Sequence, residues 1–137
     1  MHVFNLAAWA AAGLRCRVGA AVLPLAVERT SRDGVDVLFV EGEIDVATAP
    51  RLIAALNDAV AEAVRSLIID LTSVGFMDST GLALLINAHR RLTRQRKGFA
   101  VVCPQGPLWR VFELTDMLDT LRVCPDRESA TAALTTA

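Results

Sequence analysis

The run Leu67-Ile68-Ile69-Asp70-Leu71 gives way, after one short polar stretch, to Leu82, Leu85, Ile86, His89 and Leu92 at helical spacing. That change of hydrophobic period limits the folds open to this chain. The first run is short, apolar and rich in β-branched residues, as in a buried strand. The second repeats every three to four residues, as on the buried side of a helix. A buried strand leading straight into an amphipathic helix is the unit of an α/β sheet with helical crossovers. Between them lies Val74-Gly75-Phe76-Met77-Asp78-Ser79-Thr80-Gly81, expected to form the strand-to-helix turn. Asp78 or Ser79 is the natural N-cap, because either side chain can accept from the unpaired amides of the first helical turn.

A hydroxyl in that place has a further property. A phosphate added to it would lie at the positive end of the helix and meet unpaired N–H donors. The fold would tolerate the charge, while a partner docked on that surface would feel it. Taken alone, Asp-Ser-Thr-Gly is an ordinary cap and tight turn. Enzymatic readings find less support. The nucleophile elbow needs Gly-x-Ser-x-Gly, and Met77 stands two residues before Ser79. No glycine-rich phosphate loop ending in Gly-Lys-Ser/Thr occurs, and His2 and His89 offer no evident base. The chain is expected to be no enzyme, and to need neither metal nor cofactor.

At 137 residues the chain has the length of one domain with a substantial core. It is 53% hydrophobic but only 5% aromatic, which suits alanine-rich helices packed on a sheet. A net charge of −1 provides no global field for nucleic acid or an anionic membrane, so neither is expected as a partner. Cys16, Cys103 and Cys124 are too few for a disulfide scaffold and lack Cys-x-x-Cys spacing. A reducing cytoplasm fits them best.

Residues 1–22 stand apart as an apolar, alanine-rich extension, and residues 23–137 form the expected domain. Val3 to Leu14 is too short to cross a bilayer, and Arg15 and Arg17 follow it, the wrong order for a signal peptide. A docking helix, a mobile extension and a start codon placed too far upstream all remain open. From Leu25, two strand-like runs, Leu25 to Thr30 and Val35 to Gly42, flank Asp33-Gly34, a strong hairpin signal. Thr48 resembles an N-cap with Pro50 in the first turn, and Leu52, Leu56, Val60 and Val64 mark that helix's inner face. After the central strand comes a helix over 80–97, closed by Arg90, Arg91, Arg94, Arg96 and Lys97, with Gly98 expected at C′. The basic run is read as a solvated helix end rather than a nucleic-acid patch, because cations favour a helix C-terminus. His89 is read as a packed boundary residue, since no second ligand is near in sequence.

Phe99 to Cys103 is the next strand, followed by a short helix carrying Leu108, Val111 and Phe112 inward, with Trp109 off that stripe and expected to be exposed. Leu121 to Cys124 makes the last strand, and Pro125-Asp126 opens a final helix. The expected fold class is thus α/β: a single mixed, mostly parallel sheet of about five strands with about four helices, the first strand antiparallel. In such a sheet Asp45, the Asp78-Ser79 turn, Cys103 and Cys124 all fall at carboxyl ends of parallel strands. They share the edge where open α/β sheets form their sites. Cys103 and Cys124 end successive strands, within disulfide reach if both face the same side, and so form a candidate redox pair. The alternative is that each is a small buried hydrophobe.

From about Leu25 to Leu134 the chain resembles the STAS domain family, the sulfate-transporter and anti-sigma-factor-antagonist domains. Gly42-Glu43-Ile44-Asp45 matches the family's Gly-Glu-hydrophobic-Asp, and Phe76-Met77-Asp78-Ser79-Thr80-Gly81-Leu82 matches the signature around its regulated serine. The resemblance implies an anti-sigma factor antagonist, which binds an anti-sigma serine kinase of the GHKL ATPase type and frees a sigma factor. It implies Ser79 as the phosphoacceptor, reset by a phosphatase, with Asp45, Asp78, Thr80 and Gly81 at the partner surface. A second reading within the family is an accessory subunit of a membrane ABC transporter or of another signalling complex.

Overall fold

The computed structural model describes residues 25–62 and 65–135. The expectations for residues 1–22, Cys16 and Val64 lie outside the described residues. The first pairing is set by a two-residue turn. Asp33 and Gly34 both take positive φ, 55° and 84°, the geometry that matches the twist of a tight hairpin. Strand β1 (Ala26–Arg32) therefore pairs antiparallel with β2 (Val35–Ile44), from Ala26 opposite Glu41 to Arg32 opposite Val35. Then follow α1 (Ala49–Glu62), β3 (Ser66–Met77), α2 (Ser79–Arg94), β4 (Gly98–Val102), α3 (Pro107–Leu114), β5 (Val123–Cys124) and α4 (Arg127–Thr135). The sheet order is β1-β2-β3-β4-β5, and β2 to β5 run parallel. The expected mixed sheet with one antiparallel strand is what forms.

Because each parallel strand lies beside its predecessor, crossovers of one hand place their helices on one face. Leu52, Leu56 and Val60 of α1, Leu85, Ala88 and Leu92 of α2, and Phe112 of α3 share one core with Leu38, Leu67, Ile69 and Val101. No strand follows α4, so it is free to cover the other face, where Ala130 and Leu134 pack on Ile68, Ala100 and Val102. This two-sided cover explains the unbroken apolar run of β3. Trp109 was expected to be exposed; it is half-buried and packed on the main core, and the exposed apolar residue of α3 is Leu114. His89 is a boundary residue, half-buried and edge-on to Phe99 at 5.8 Å between ring centres.

Among the boundaries that differ from expectation are the end of α2 and the start of β5. Helix α2 ends at Arg94, and Arg96, not Gly98, takes the left-handed position after it (φ 60°). The Lys97 N–H donates to the Leu92 carbonyl at 2.9 Å and the Arg96 N–H to that of Thr93 at 2.9 Å, which completes a Schellman motif and leaves Gly98 to open β4. Strand β5 has only two residues, because Leu121 and Arg122 close a turn in which the Val123 N–H donates to the Leu118 carbonyl at 2.8 Å.

Asp70 is the one charge inside β3, on the face beneath α4, and only 3% exposed. The Arg127 Nε donates to its Oδ2 at 2.6 Å, and the Thr72 N–H donates to its Oδ1 at 2.9 Å. The Arg127 guanidinium also stacks 5.9 Å from the centre of the Phe39 ring. A cation at a helix start opposes the dipole by up to about 1 kcal/mol. Leaving a buried carboxylate short of partners costs more, about 1–3 kcal/mol. Pairing wins, and the ion pair pins the start of α4 to the sheet. Replacing Arg127 by Met, which keeps the stem and removes the charge, should lower stability by about 2 kcal/mol in urea unfolding. Adding Asp70→Asn should restore part of that loss.

Candidate functional site

Strand β3 was expected to end at Leu71; it runs on to Met77, and Asp78 alone separates it from α2. The pairing explains why. Strand β4 stays beside β3 only as far as Asp70 opposite Val102, whereas β2 continues alongside, with Glu41 opposite Ser73, Glu43 opposite Phe76 and Ile44 opposite Met77. Two register shifts, after Phe39 and after Gly42, accommodate the polar Thr72-Ser73 and Gly75 that obscure the alternation. A two-stranded ribbon therefore carries both sequence motifs beyond the sheet.

The ribbon ends on a hydrogen bond from the Asp78 N–H to the Ile44 carbonyl, 3.1 Å long. On one side of it, Asp78 caps α2: its Oδ1 accepts from the Thr80 N–H at 2.9 Å and the Gly81 N–H at 3.4 Å. Of the two candidate caps it is Asp78 that serves, and Ser79 is the first helical residue, exposed to solvent. On the other side, Asp45 starts the turn into α1. Its Oδ1 accepts from the Thr48 N–H at 3.1 Å, and the Thr48 hydroxyl accepts from the Asp45 N–H at 3.0 Å while donating to the Glu43 carbonyl at 2.8 Å. Thr48 was expected to cap α1 with its own side chain. The reciprocal pair makes Asp45 the capping side chain and turns the Thr48 hydroxyl back toward β2.

Two helix N-termini thus stand side by side, each held by an aspartate. Around them Glu43 and Ser79 are exposed, Thr80 is half-buried, and two apolar side chains, Val46 (73% exposed) and Phe76 (49%), face solvent. A family model described as "STAS domain" matches residues 26–130. The chain belongs to the STAS domain family. This STAS domain is 33% identical over 101 residues to the anti-sigma-B factor antagonist of Listeria monocytogenes, covering 74% of the chain and 88% of that relative. It is 31% identical over 99 residues to the protein of the same name from Staphylococcus aureus, covering 72% and 92%. Among solved structures it is similar to an anti-sigma factor antagonist from Mycobacterium paratuberculosis, with TM-score 0.75 and 32% identity over 81% of this chain and 94% of that one.

The STAS edge amends one inference from the sequence. The Thr80 and Gly81 amides already bond Asp78, so a phosphate on Ser79 would not find them unpaired. What would act on such a phosphate is the dipole of α2 and the neighbouring carboxylate. Gly81 is buried rather than part of the open surface. A Cβ there would sit 2.4 Å from Met77 Cγ and 2.8 Å from Ile44 Cγ2, so its missing side chain lets α2 seat on the ribbon's end.

The cysteine pair does not come together as the redox reading needs. Val102 is the register partner of Cys124, so Cys103 points to the opposite face. Cys103 lies in the main core and Cys124 packs on the cluster under α4. Burial, then the charge of Asp70, pushes the Cys103 thiol up to about 11, so at pH 8 almost none of it is the nucleophilic thiolate. Among the described residues, no helix is long and apolar enough to cross a membrane.

Two outcomes are expected. Gly81→Ala should cost about 1–3 kcal/mol by overpacking, and Met77→Ala should add less in that background than alone, since it removes the clashing atoms. Mild oxidation of native protein at pH 8 should leave no Cys103–Cys124 peptide in a disulfide map; such a peptide would contradict their placement on opposite faces.

Proposed function

We propose that this STAS domain is an anti-sigma factor antagonist whose hold on an anti-sigma serine kinase of the GHKL ATPase type is switched at Ser79. Unphosphorylated, the domain binds the kinase through the edge containing Asp45, Asp78, Thr80 and the exposed Val46 and Phe76, with Gly81 positioning the helix start, and a sigma factor is freed. Phosphorylation of Ser79 ends the binding, and a phosphatase restores it. The protein is a substrate in this cycle, not a catalyst. The observation that carries the reading is the exposed Ser79 at the first position of α2, beside two capping aspartates and two exposed apolar side chains. The names of the relatives from Listeria monocytogenes and Staphylococcus aureus support it.

The electrostatics suit a switch without refolding. A phosphate adds about −1.5 to −2 charge. Within the domain that charge sits at a helix N-terminus, where an anion is tolerated and Asp78 keeps the cap. Outside, it joins Glu43, Asp45 and Asp78 on an edge already acidic, and a bound partner must accommodate it. A loss of about 3 kcal/mol is roughly a hundredfold in affinity, enough to reverse occupancy.

With the cognate kinase and Mg-ATP, the protein should acquire one phosphate, located at Ser79 by mass spectrometry and absent from Ser79→Ala. By calorimetry, Ser79→Glu should bind the kinase at least about tenfold more weakly than Ser79→Ala, or about 1.4 kcal/mol. Equal affinities for the two variants, or phosphorylation persisting in Ser79→Ala, would overturn the assignment.

A further inference from the structure

At the opposite edge, where the parallel strands begin, the charge is reversed. A cavity of about 530 Å³ opens between the start of β3, the end of α2 and the turn before β5. Arg65, Arg96, Lys97 and Arg122 line it, His89 stands on one wall, and among the described residues no Asp or Glu lines it. The chain as a whole has a net charge of −1, so composition does not explain this concentration.

Nor does the helix dipole. Cations in the last turn of α2, Arg91 and Arg94, are accounted for by its carbonyl end. Arg65 and Arg122 come from other parts of the chain, one entering β3 and the other entering β5. The backbone sets where each begins. Arg65 is fixed by its N–H to the Gly34 carbonyl at 3.1 Å, by its carbonyl to the Gly98 N–H at 2.9 Å, and by its guanidinium on the Asp33 carbonyl. Arg96 and Arg122 occupy the left-handed positions of their turns, φ 60° and 51°, where an arginine is not the residue that local geometry favours. Among the described residues, neither forms an ion pair. Burial first, and then the charges of Arg122 and Arg90, hold the His89 pKa below its ordinary value.

We propose that this cavity binds a phosphorylated small molecule carrying two or more negative charges. Its phosphates lie among Arg65, Arg96 and Arg122, and its less polar part rests on Val35, Phe99 and Leu134. Guanidinium groups suit the task, because their paired N–H donors match phosphate oxygens. The volume is in the range of small-molecule sites, about 300–1,000 Å³. Gathering arginines from three turns around one cavity works against the compact state, and a bound polyanion would relieve that repulsion. The site is remote from Ser79 and does not rest on the function proposed above.

The test is titration of the full chain with pyrophosphate at constant ionic strength, near 0.15 M so that unspecific surface attraction is screened to about 8 Å. Amide NMR shifts should saturate and concentrate at residues 65–66, 89–98 and 122, and pyrophosphate should raise the unfolding temperature. Arg96→Asn/Arg122→Asn should fold at least as well, since Asn is favoured at left-handed positions, and should bind at least about tenfold more weakly. Arg110→Gln, on α3, should bind like the parent. No saturable shift up to about 10 mM pyrophosphate, or undiminished binding by the double Asn variant, would overturn the proposal.

Discussion

The hydrogen bond between the Asp78 N–H and the Ile44 carbonyl is where the two halves of the domain's proposed partner edge are joined. It is the last rung of a ribbon that outruns the rest of the sheet, since β4 stops pairing at Val102. Every group of the proposed partner surface is referred to it. Asp45 follows Ile44 by one residue, Asp78 donates the bond, and Ser79 comes next. Shifting the β2–β3 register by one residue would turn the ribbon's buried Val74 and Met77 outward and separate the two caps. The two register shifts and the bond that closes them are therefore as much part of the site as its exposed side chains.

Around that bond the domain places stiffness where the proposed switch needs it. Asp45 and Thr48 cap each other reciprocally, Asp78 holds two amides of α2, and Gly81 brings the helix against Ile44 and Met77. A charge added at Ser79 meets a helix start already satisfied by its own aspartate. Little inside the domain has reason to move, so the effect of the charge is directed outward. A rigid surface that changes sign or magnitude of charge can alter affinity by many fold without any change of fold.

The sheet also separates charge along its strands. Its carboxyl edge bears Glu43, Asp45 and Asp78, while its amino edge gathers Arg65, Arg96, Lys97 and Arg122 around one cavity. A net charge of −1 conceals this polarity. Parallel strands make it possible, because all their carboxyl ends lie on one side and all their amino ends on the other, and the loops of each edge can be set independently.

Much of the fold was determined by sequence alone. The switch of period at β3 and α2, the Asp33-Gly34 turn and the order of apolar runs are local signals, and they led to a mixed sheet with Asp45 and Asp78-Ser79 on one edge. The extent of β3 was not legible, because Thr72, Ser73 and Gly75 break its alternation and only pairing with β2 keeps the segment extended. Nor was the choice of Asp78 as cap, which depends on where the strand stops. The faces of Cys103 and Cys124 follow from the β4–β5 register, and a one-residue difference there reverses them. The convergence of Arg65, Arg96 and Arg122 depends on three turns meeting at one edge. Periodicity records which side of an element is buried; which neighbours an element meets, and in what register, is decided only when the whole sheet closes its hydrogen bonds and its core.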